Sequence, residues 1–148
     1  MDATRLHLFL NYLPVIGTLL GMVLLLLGFW KNSDRVNRIS LATFVLTALL
    51  TFAVYASGEV AGSRAGLLVG PVWTNIENHK SSALPAFAAI ELTGVFALIG
   101  LISMFRKSEL ARWNVVAVLI LSLAAFFLTA RTTYLGKHIH SVDAAVSR

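Results

Sequence analysis

The 148-residue chain is 57% hydrophobic and 13% charged, whereas a soluble domain is about 45–50% apolar and about 25% charged. Together with a mean hydropathy of +0.79, this composition excludes an ordinary soluble domain and predicts an integral membrane protein. The net charge of +5 comes from basic residues beside apolar stretches, so it indicates membrane anchoring and not nucleic-acid binding. Cysteine is absent, which excludes disulfides, thiolate metal sites, cysteine-ligated iron–sulfur clusters and covalently attached c-type haem.

Four apolar stretches account for most of the chain, and each is close to the ~20 residues that cross the hydrocarbon core of a bilayer. We therefore predict one all-α domain over residues 1–148, an integral membrane four-helix bundle. The helices are expected at approximately residues 8–30, 39–57, 83–105 and 113–134. Short basic linkers join the first helix to the second and the third to the fourth, and one longer connection joins the second to the third.

The first apolar stretch is interpreted as a retained helix and not as a signal peptide. It begins with the polar residues His7 and Asn11, and no small-residue cleavage site precedes Lys31. A kink is expected near Pro14. In the second stretch Thr43, Thr47 and Thr51 recur every four residues, a spacing that lines one helix face and predicts helix–helix packing in lipid.

The longer connection is predicted to begin where Gly58-Glu59 ends the second helix. Its apolar part, Ala65–Trp73, is too short to span a bilayer and is interpreted as an interfacial or re-entrant segment. Glu77 and His79 follow, just before the third apolar stretch. Residues 141–148 are predicted to form a short polar tail.

Two tight linkers on one side of the membrane place both termini and the longer connection on the other. The tight linkers carry six Lys/Arg: Lys31, Arg35, Arg38, Arg106, Lys107 and Arg112. The other side carries five: Arg5, Arg64, Lys80, Lys137 and Arg148. The denser positive charge favours the tight linkers as cytoplasmic. We therefore predict a bacterial inner-membrane protein whose termini and histidines face the periplasm or exterior.

Polar residues from four helix ends fall at one membrane face, and among them are all four histidines of the chain. They are His7, Glu59, Glu77, His79, His138 and His140. Neighbouring helix axes in a bundle lie ~8–10 Å apart, so several of these side chains can converge. Histidines with a carboxylate suit Zn, Cu, Fe or Mn, and paired imidazoles suit a b-type haem. The alternative is ordinary interfacial polarity without a ligand.

Helix geometry distinguishes the cluster residues that can be ligands from those beside them. His138 and His140 are two apart and diverge on a helix, so only one is expected in the site unless the chain unwinds after Gly136. Asn11 shares a helix face with His7 and, with Glu77, is expected beside the ligands.

A carboxylate and a guanidinium fall inside the predicted spans. Glu91 lies in the third helix and Arg131 in the last turn of the fourth. Because a charge inside the bilayer is costly, we predict an ion pair between them, placed to support the histidine cluster. The alternative for Arg131 is to extend its side chain to the interface.

Four short motifs occur in order over nearly the whole chain. They are His7 with Asn11-Tyr-Leu-Pro14 and Gly17, then Gly58-Glu59, Glu77-Asn-His79 and Gly136-Lys-His-Ile-His140. This order resembles small four-helix bacterial membrane proteins grouped as a domain of unknown function. The chain departs from that pattern at two places, because Tyr12 replaces the family's histidine and His138-Ile-His140 replaces its Ile-Arg-His ending. The resemblance implies His7, Glu59, His79 and His140 as ligands, and it implies no particular reaction.

The sequence therefore predicts a small membrane subunit that binds a metal ion or haem and serves electron transfer or metal handling within a larger membrane complex. The partners expected are the lipid bilayer and other membrane subunits or further copies of the chain. The alternative is a structural or assembly subunit without a ligand; a transporter is a third possibility, resting on Glu91 and Arg131. No phosphate loop, catalytic triad or dinucleotide motif is found, and whether the chain is an enzyme is left open.

Overall fold

A computed structural model describes Leu10 and residues 12–65, 71–106 and 112–146 of the chain. Within these ranges it describes no side chains for residues 57–65, 71–77 and 136–146. The helices are α1 (Tyr12–Trp30), α2 (Asp34–Ala65), α3 (Pro71–Phe105) and α4 (Arg112–Val146). The predicted all-α class is confirmed, because the described part of the chain consists of these helices and short turns.

The four helices form an up-and-down bundle. Along α1, Gly17 packs on Thr47 and Gly21 on Phe44 of α2, so residue numbers rise on one helix while they fall on the other. The same antiparallel order joins α2 to α3 and α3 to α4, and α4 returns to contact α1. Such a closed arrangement is the common architecture of helices joined by short loops.

Each helix contains a stretch long and apolar enough to cross a membrane. These stretches are Tyr12–Trp30, Asp34–Ala56, Asn78–Phe105 and Arg112–Leu135. Large aliphatic and aromatic side chains are exposed along all four helices, as expected where the surrounding solvent is lipid. The protein is therefore a multi-pass membrane protein.

Three helices extend beyond the boundaries predicted from sequence. Gly58-Glu59 does not end α2, which continues to Ala65, and α4 continues to Val146 instead of giving way to a polar tail. Of the predicted interfacial segment, Ala65 belongs to α2 and residues 71–73 belong to α3, and residues 66–70 lie outside the described residues. Hydropathy marks the edge of the hydrocarbon, and helical hydrogen bonding continues past that edge.

The earlier start of α3 changes the position of Pro85. With a helix beginning at residue 83, Pro85 would fall in the first turn, where proline is tolerated. The observed helix begins at Pro71 and holds Pro85 in its interior. Proline has no N–H, so it cannot donate to the carbonyl of Ser81 one turn earlier. The missing backbone hydrogen bond lies between the end of α3 that carries His79 and the rest of the helix.

Small residues allow the helices to approach closely. A Cβ atom added to Gly94 of α3 would lie 2.5 Å from the Cβ of Ala48 in α2, and one added to Gly21 would lie 2.7 Å from the Phe44 ring. Glycine at such positions is typical of membrane helix interfaces, where close backbone packing replaces the hydrophobic drive available in water.

The buried hydroxyl groups are satisfied mainly within their own helices. Thr47 donates to the carbonyl of Thr43 at 2.8 Å, and Thr51 donates to the carbonyl of Thr47 at 2.7 Å. Thr129 in α4 repeats the pattern with Ala125. Both Thr47 and Thr51 are buried, so the prediction that the threonine stripe packs between helices is confirmed for these two residues.

Ser40 is an exception because its hydroxyl bonds across helices, donating to the carbonyl of Gly21 at 2.9 Å from a fully buried position. Ser40→Ala is expected to lower the free energy of unfolding by about 0.6 kcal/mol, the mean for interhelical hydrogen bonds in membrane proteins. The control is Ser103→Ala, because Ser103 bonds only to Ile99 of its own helix. Unfolding in mixed micelles measures both values, and equal losses would contradict the assignment.

Candidate functional site

His79 lies near the start of the apolar stretch of α3, at the end of the bundle opposite the two tight linkers. Its Nδ1 atom lies 2.9 Å from the backbone carbonyl oxygen of Thr132 in α4. The hydroxyl of Thr132 in turn donates to the carbonyl of Ser82 at 3.1 Å, and the hydroxyl of Ser82 donates to the carbonyl of His79 at 2.9 Å. The first of these bonds holds the ring of His79 against α4, and the second joins the backbone of α3 to α4 one turn away.

The contact with Thr132 determines which ring nitrogen can bind a metal. A carbonyl oxygen only accepts hydrogen bonds, so Nδ1 of His79 must be the donor. In the neutral ring the lone pair then resides on Nε2. Metal-binding histidines are usually held in this way, with the second ring N–H donated to a carbonyl or carboxylate. Sequence reasoning did not identify Thr132 or Ser82, because nothing in the order of residues marks a carbonyl that will face a histidine.

The described contacts place Glu59 close to the level of His79 along the bundle axis. The rings of Tyr55 in α2 and Phe87 in α3 stack with centroids 4.6 Å apart. Glu59 follows Tyr55 by one turn, and His79 precedes Phe87 by about two turns. At 1.5 Å per residue in antiparallel helices, the backbones of Glu59 and His79 therefore differ by about 6 Å in depth. The side chain of Glu59 lies outside the described residues.

The remaining cluster residues fall on the outer side of His79 or outside the described residues. The helix α4 is continuous through Gly136, so the backbones of His138 and His140 lie about 9 and 12 Å beyond Thr132 along the axis. Glu77 precedes His79 by two residues on the same helix. The side chains of these three residues are not described, and His7 and Asn11 lie outside the described residues altogether.

The ion pair predicted between Glu91 and Arg131 is not formed. Arg131 is adjacent to Thr132 and is therefore level with His79, whereas Glu91 follows His79 by three turns, about 18 Å along the axis. Arg131 is exposed, in keeping with the alternative that its side chain reaches the interface. Oxygen Oε1 of Glu91 is buried and has no hydrogen-bond partner in the described part of the chain.

Within the residues whose side chains are described, no three histidine, aspartate or glutamate side chains come together as a metal site. Among the cluster residues, His79 is the one whose side chain is described. No protein-family model, no curated protein and no solved structure matches this chain.

Proposed function

We propose that the histidine-bearing end of this membrane bundle binds a transition metal, as a bare ion or as haem iron, through Nε2 of His79. The observation that carries the proposal is the hydrogen bond from Nδ1 of His79 to the carbonyl of Thr132. It fixes both the tautomer and the direction of the ring, which are the two properties that a metal ligand needs from its surroundings. The bound metal would serve electron transfer or metal handling within a larger membrane assembly.

The site has two versions, one with a bare ion and one with haem. The depths of the other cluster residues along the bundle axis suit different residues to each version. A bare ion holds its ligands at about 2.0–2.2 Å, which requires donors that converge from nearly the same level. Glu59, on the neighbouring helix and about one turn from His79 in depth, is the carboxylate proposed for that role. A b-type haem requires a second imidazole on the opposite face of the iron, and His7, His138 and His140 are the histidines available for it.

The orientation proposed for the site follows from charge. Lys31, Arg35, Arg38, Arg106 and Arg112 lie at or beside the helix ends joined by the tight linkers. A concentration of Lys and Arg in short loops is typical of the cytoplasmic side. The histidine end would then face the exterior of a bacterial inner membrane, where it meets external metal or electron carriers.

The direct test is the visible absorption spectrum of the purified protein, oxidised and then reduced with dithionite, followed by elemental analysis of the same sample. A Soret band that shifts on reduction would identify haem iron. A colourless sample with one equivalent of bound metal would identify a bare-ion site. A sample that contains neither, including after incubation with Zn, Cu, Fe or Mn salts and with haemin, would contradict the proposal.

A structural subunit without a ligand is the second candidate. Close glycine contacts and interior hydroxyls that already have partners favour a structural subunit, because both are features of a rigid bundle. Replacing His7, His79 and His140 together by alanine distinguishes the candidates. A structural subunit would lose only some stability and would assemble as before, whereas a ligand-binding subunit would lose its metal or haem.

A further inference from the structure

The side chain of Arg38 in α2 reaches across to α3 at the tight-linker end of the bundle. Its Nη2 atom donates to the carbonyl oxygen of Met104 at 3.3 Å, and its guanidinium carbon lies 5.7 Å from the centre of the Phe105 ring. Met104 lies in the last turn of α3, so its carbonyl has no partner within the helix. These two contacts hold the guanidinium group of Arg38 beside the end of α3.

Most hydrogen-bond donors of this guanidinium group have no protein partner in the part of the chain that the structure describes. Arginine carries several N–H donors in a planar fork, and the contact with Met104 uses one of them. Asp34 lies one turn earlier on α2 and does not pair with Arg38. Because the side chain of Arg38 is exposed, its remaining donors are accessible to a ligand outside the chain.

Positive charge is concentrated at this end of the bundle. Residues 31–38 and 106–112 contain six Lys/Arg but only two acidic residues, Asp34 and Glu109. Arg106 is exposed and follows Met104 by two residues, so its backbone lies about 3 Å farther along the axis. Arg106 is therefore level with the contact that Arg38 makes to α3, and a single anion can meet arginines from two neighbouring helices.

Exposed aromatic and aliphatic side chains place this cationic layer at the membrane interface. Gly28 of α1 packs on Asn37 of α2, which brings Trp30 to the level of the first turns of α2. Trp30 is 81% exposed and Phe105 is 67% exposed, and tryptophan at the end of a membrane helix is typical of headgroup depth. Ile102, one turn deeper on α3, is also exposed. A ligand at this position therefore meets cationic groups at headgroup depth and apolar side chains below them.

We propose that Arg38 and Arg106 bind the headgroup phosphate of an anionic phospholipid where α2 meets the end of α3. A phosphate accepts two parallel N–H bonds from one guanidinium group, and basic residues between membrane helices bind acidic headgroups in other proteins. The acyl chains then lie along Phe105 and Ile102. The surplus of positive charge favours an anionic lipid over a zwitterionic one, whose phosphate is already balanced by its own ammonium group. A soluble phosphate would use the arginines alone, whereas a phospholipid uses both parts of the surface.

Native mass spectrometry tests the proposal by counting the phospholipids that remain on the protein when it is released from neutral detergent. The protein is mixed with phosphatidylglycerol and phosphatidylcholine in equal amounts, and one phosphatidylglycerol is expected to be retained in preference. Arg38→Gln and Arg106→Gln are each expected to lower that preference about fivefold, the equivalent of about 1 kcal/mol for each basic residue near an acidic headgroup. Arg106→Gln leaves the contact between Arg38 and Met104 in place, so its effect does not depend on a change in helix packing.

Charge-matched variants separate a bound lipid from attraction to the whole positive surface. Arg35→Gln removes the same charge from an exposed residue about one turn away on α2 and is expected to lower the preference less than Arg38→Gln does. Arg38→Lys keeps the charge but loses the planar pair of donors, so it should also weaken the preference. Circular dichroism checks that each variant is folded.

The lipid site is tested independently of the proposed metal site, because His79 lies about 37 Å from Met104 along α3. Equal retention of phosphatidylglycerol and phosphatidylcholine by the unmodified chain would overturn the proposal. Equal losses for Arg35→Gln and Arg38→Gln would also overturn it, because general surface charge would then account for the preference. Release of the lipid by inorganic phosphate at constant ionic strength would identify a soluble anion as the ligand and would likewise contradict a lipid site.

Discussion

His79→Asn is expected to abolish binding of the metal or haem while leaving the bundle folded. The side-chain amide N–H of asparagine occupies the position of Nδ1 in histidine, so it can still donate to the carbonyl of Thr132. It has no atom in the position of Nε2. Loss of an outer-shell partner alone weakens metal affinity about 10–100-fold, and loss of the ligand itself is expected to exceed that. Titration of the purified protein with metal or haemin measures the change.

Thermal unfolding of the same variants separates ligation from structure. His79→Ala removes both the donor to Thr132 and the ligand atom, so it should lose the metal and also some stability in the metal-free state. His79→Asn should lose only the metal. If His79→Asn keeps full affinity while His79→Ala merely unfolds more easily, then His79 has a structural role and the proposed site is wrong.

Gly94→Ala is expected to destabilise the bundle by adding a methyl group at the α2–α3 contact. The new Cβ would lie 2.5 Å from the Cβ of Ala48, and alanine has no side-chain torsion with which to move aside. The two helix backbones must separate instead. Overpacking of this kind costs about 1–3 kcal/mol, measurable as a shift of the unfolding midpoint in mixed micelles.

Two further variants test whether the loss of stability comes from the contact between residues 94 and 48. Ala48→Gly removes the opposing methyl group, so the double variant with Gly94→Ala should recover most of the lost stability. Ala88→Val adds bulk to an exposed residue of the same helix and should change the free energy of unfolding little. Additive losses in the double variant would show that the two residues do not touch.

The membrane class and the number of helices were predictable, because a helix that crosses the hydrocarbon core needs about 20 apolar residues. Each apolar stretch is long enough to span it and contains few charges, and short linkers force antiparallel neighbours. The helix ends were not predictable in the same way. Beyond Ser57 the chain becomes polar where it leaves lipid, although its backbone remains helical to Ala65. A polar residue thus marks the interface and not the last hydrogen-bonded turn.

The candidate site was only partly predictable, because depth along a bundle depends on how neighbouring helices are aligned. Glu91 and Arg131 lie on adjacent helices and inside apolar stretches, which made a pair reasonable from sequence. The contact of His79 with Thr132 aligns α3 with α4 differently and separates the two charges. The placement of His79, His138 and His140 toward one end of the bundle followed from chain order alone, whereas no sequence pattern marks the tertiary hydrogen bond that orients His79.

The hydroxyls bonded within their own helices have a consequence for biosynthesis. Thr47, Thr51 and Thr129 reach the carbonyls one turn earlier on the same helix, so their polar groups are shielded before any neighbour arrives. A segment whose hydroxyls are bonded in this way can enter the lipid before its neighbours do. Ser40 of α2 is the exception, because its hydroxyl bonds to Gly21 of α1. Recognition between segments then depends on the shape of their glycine-lined surfaces, and assembly can follow insertion as a separate, later step.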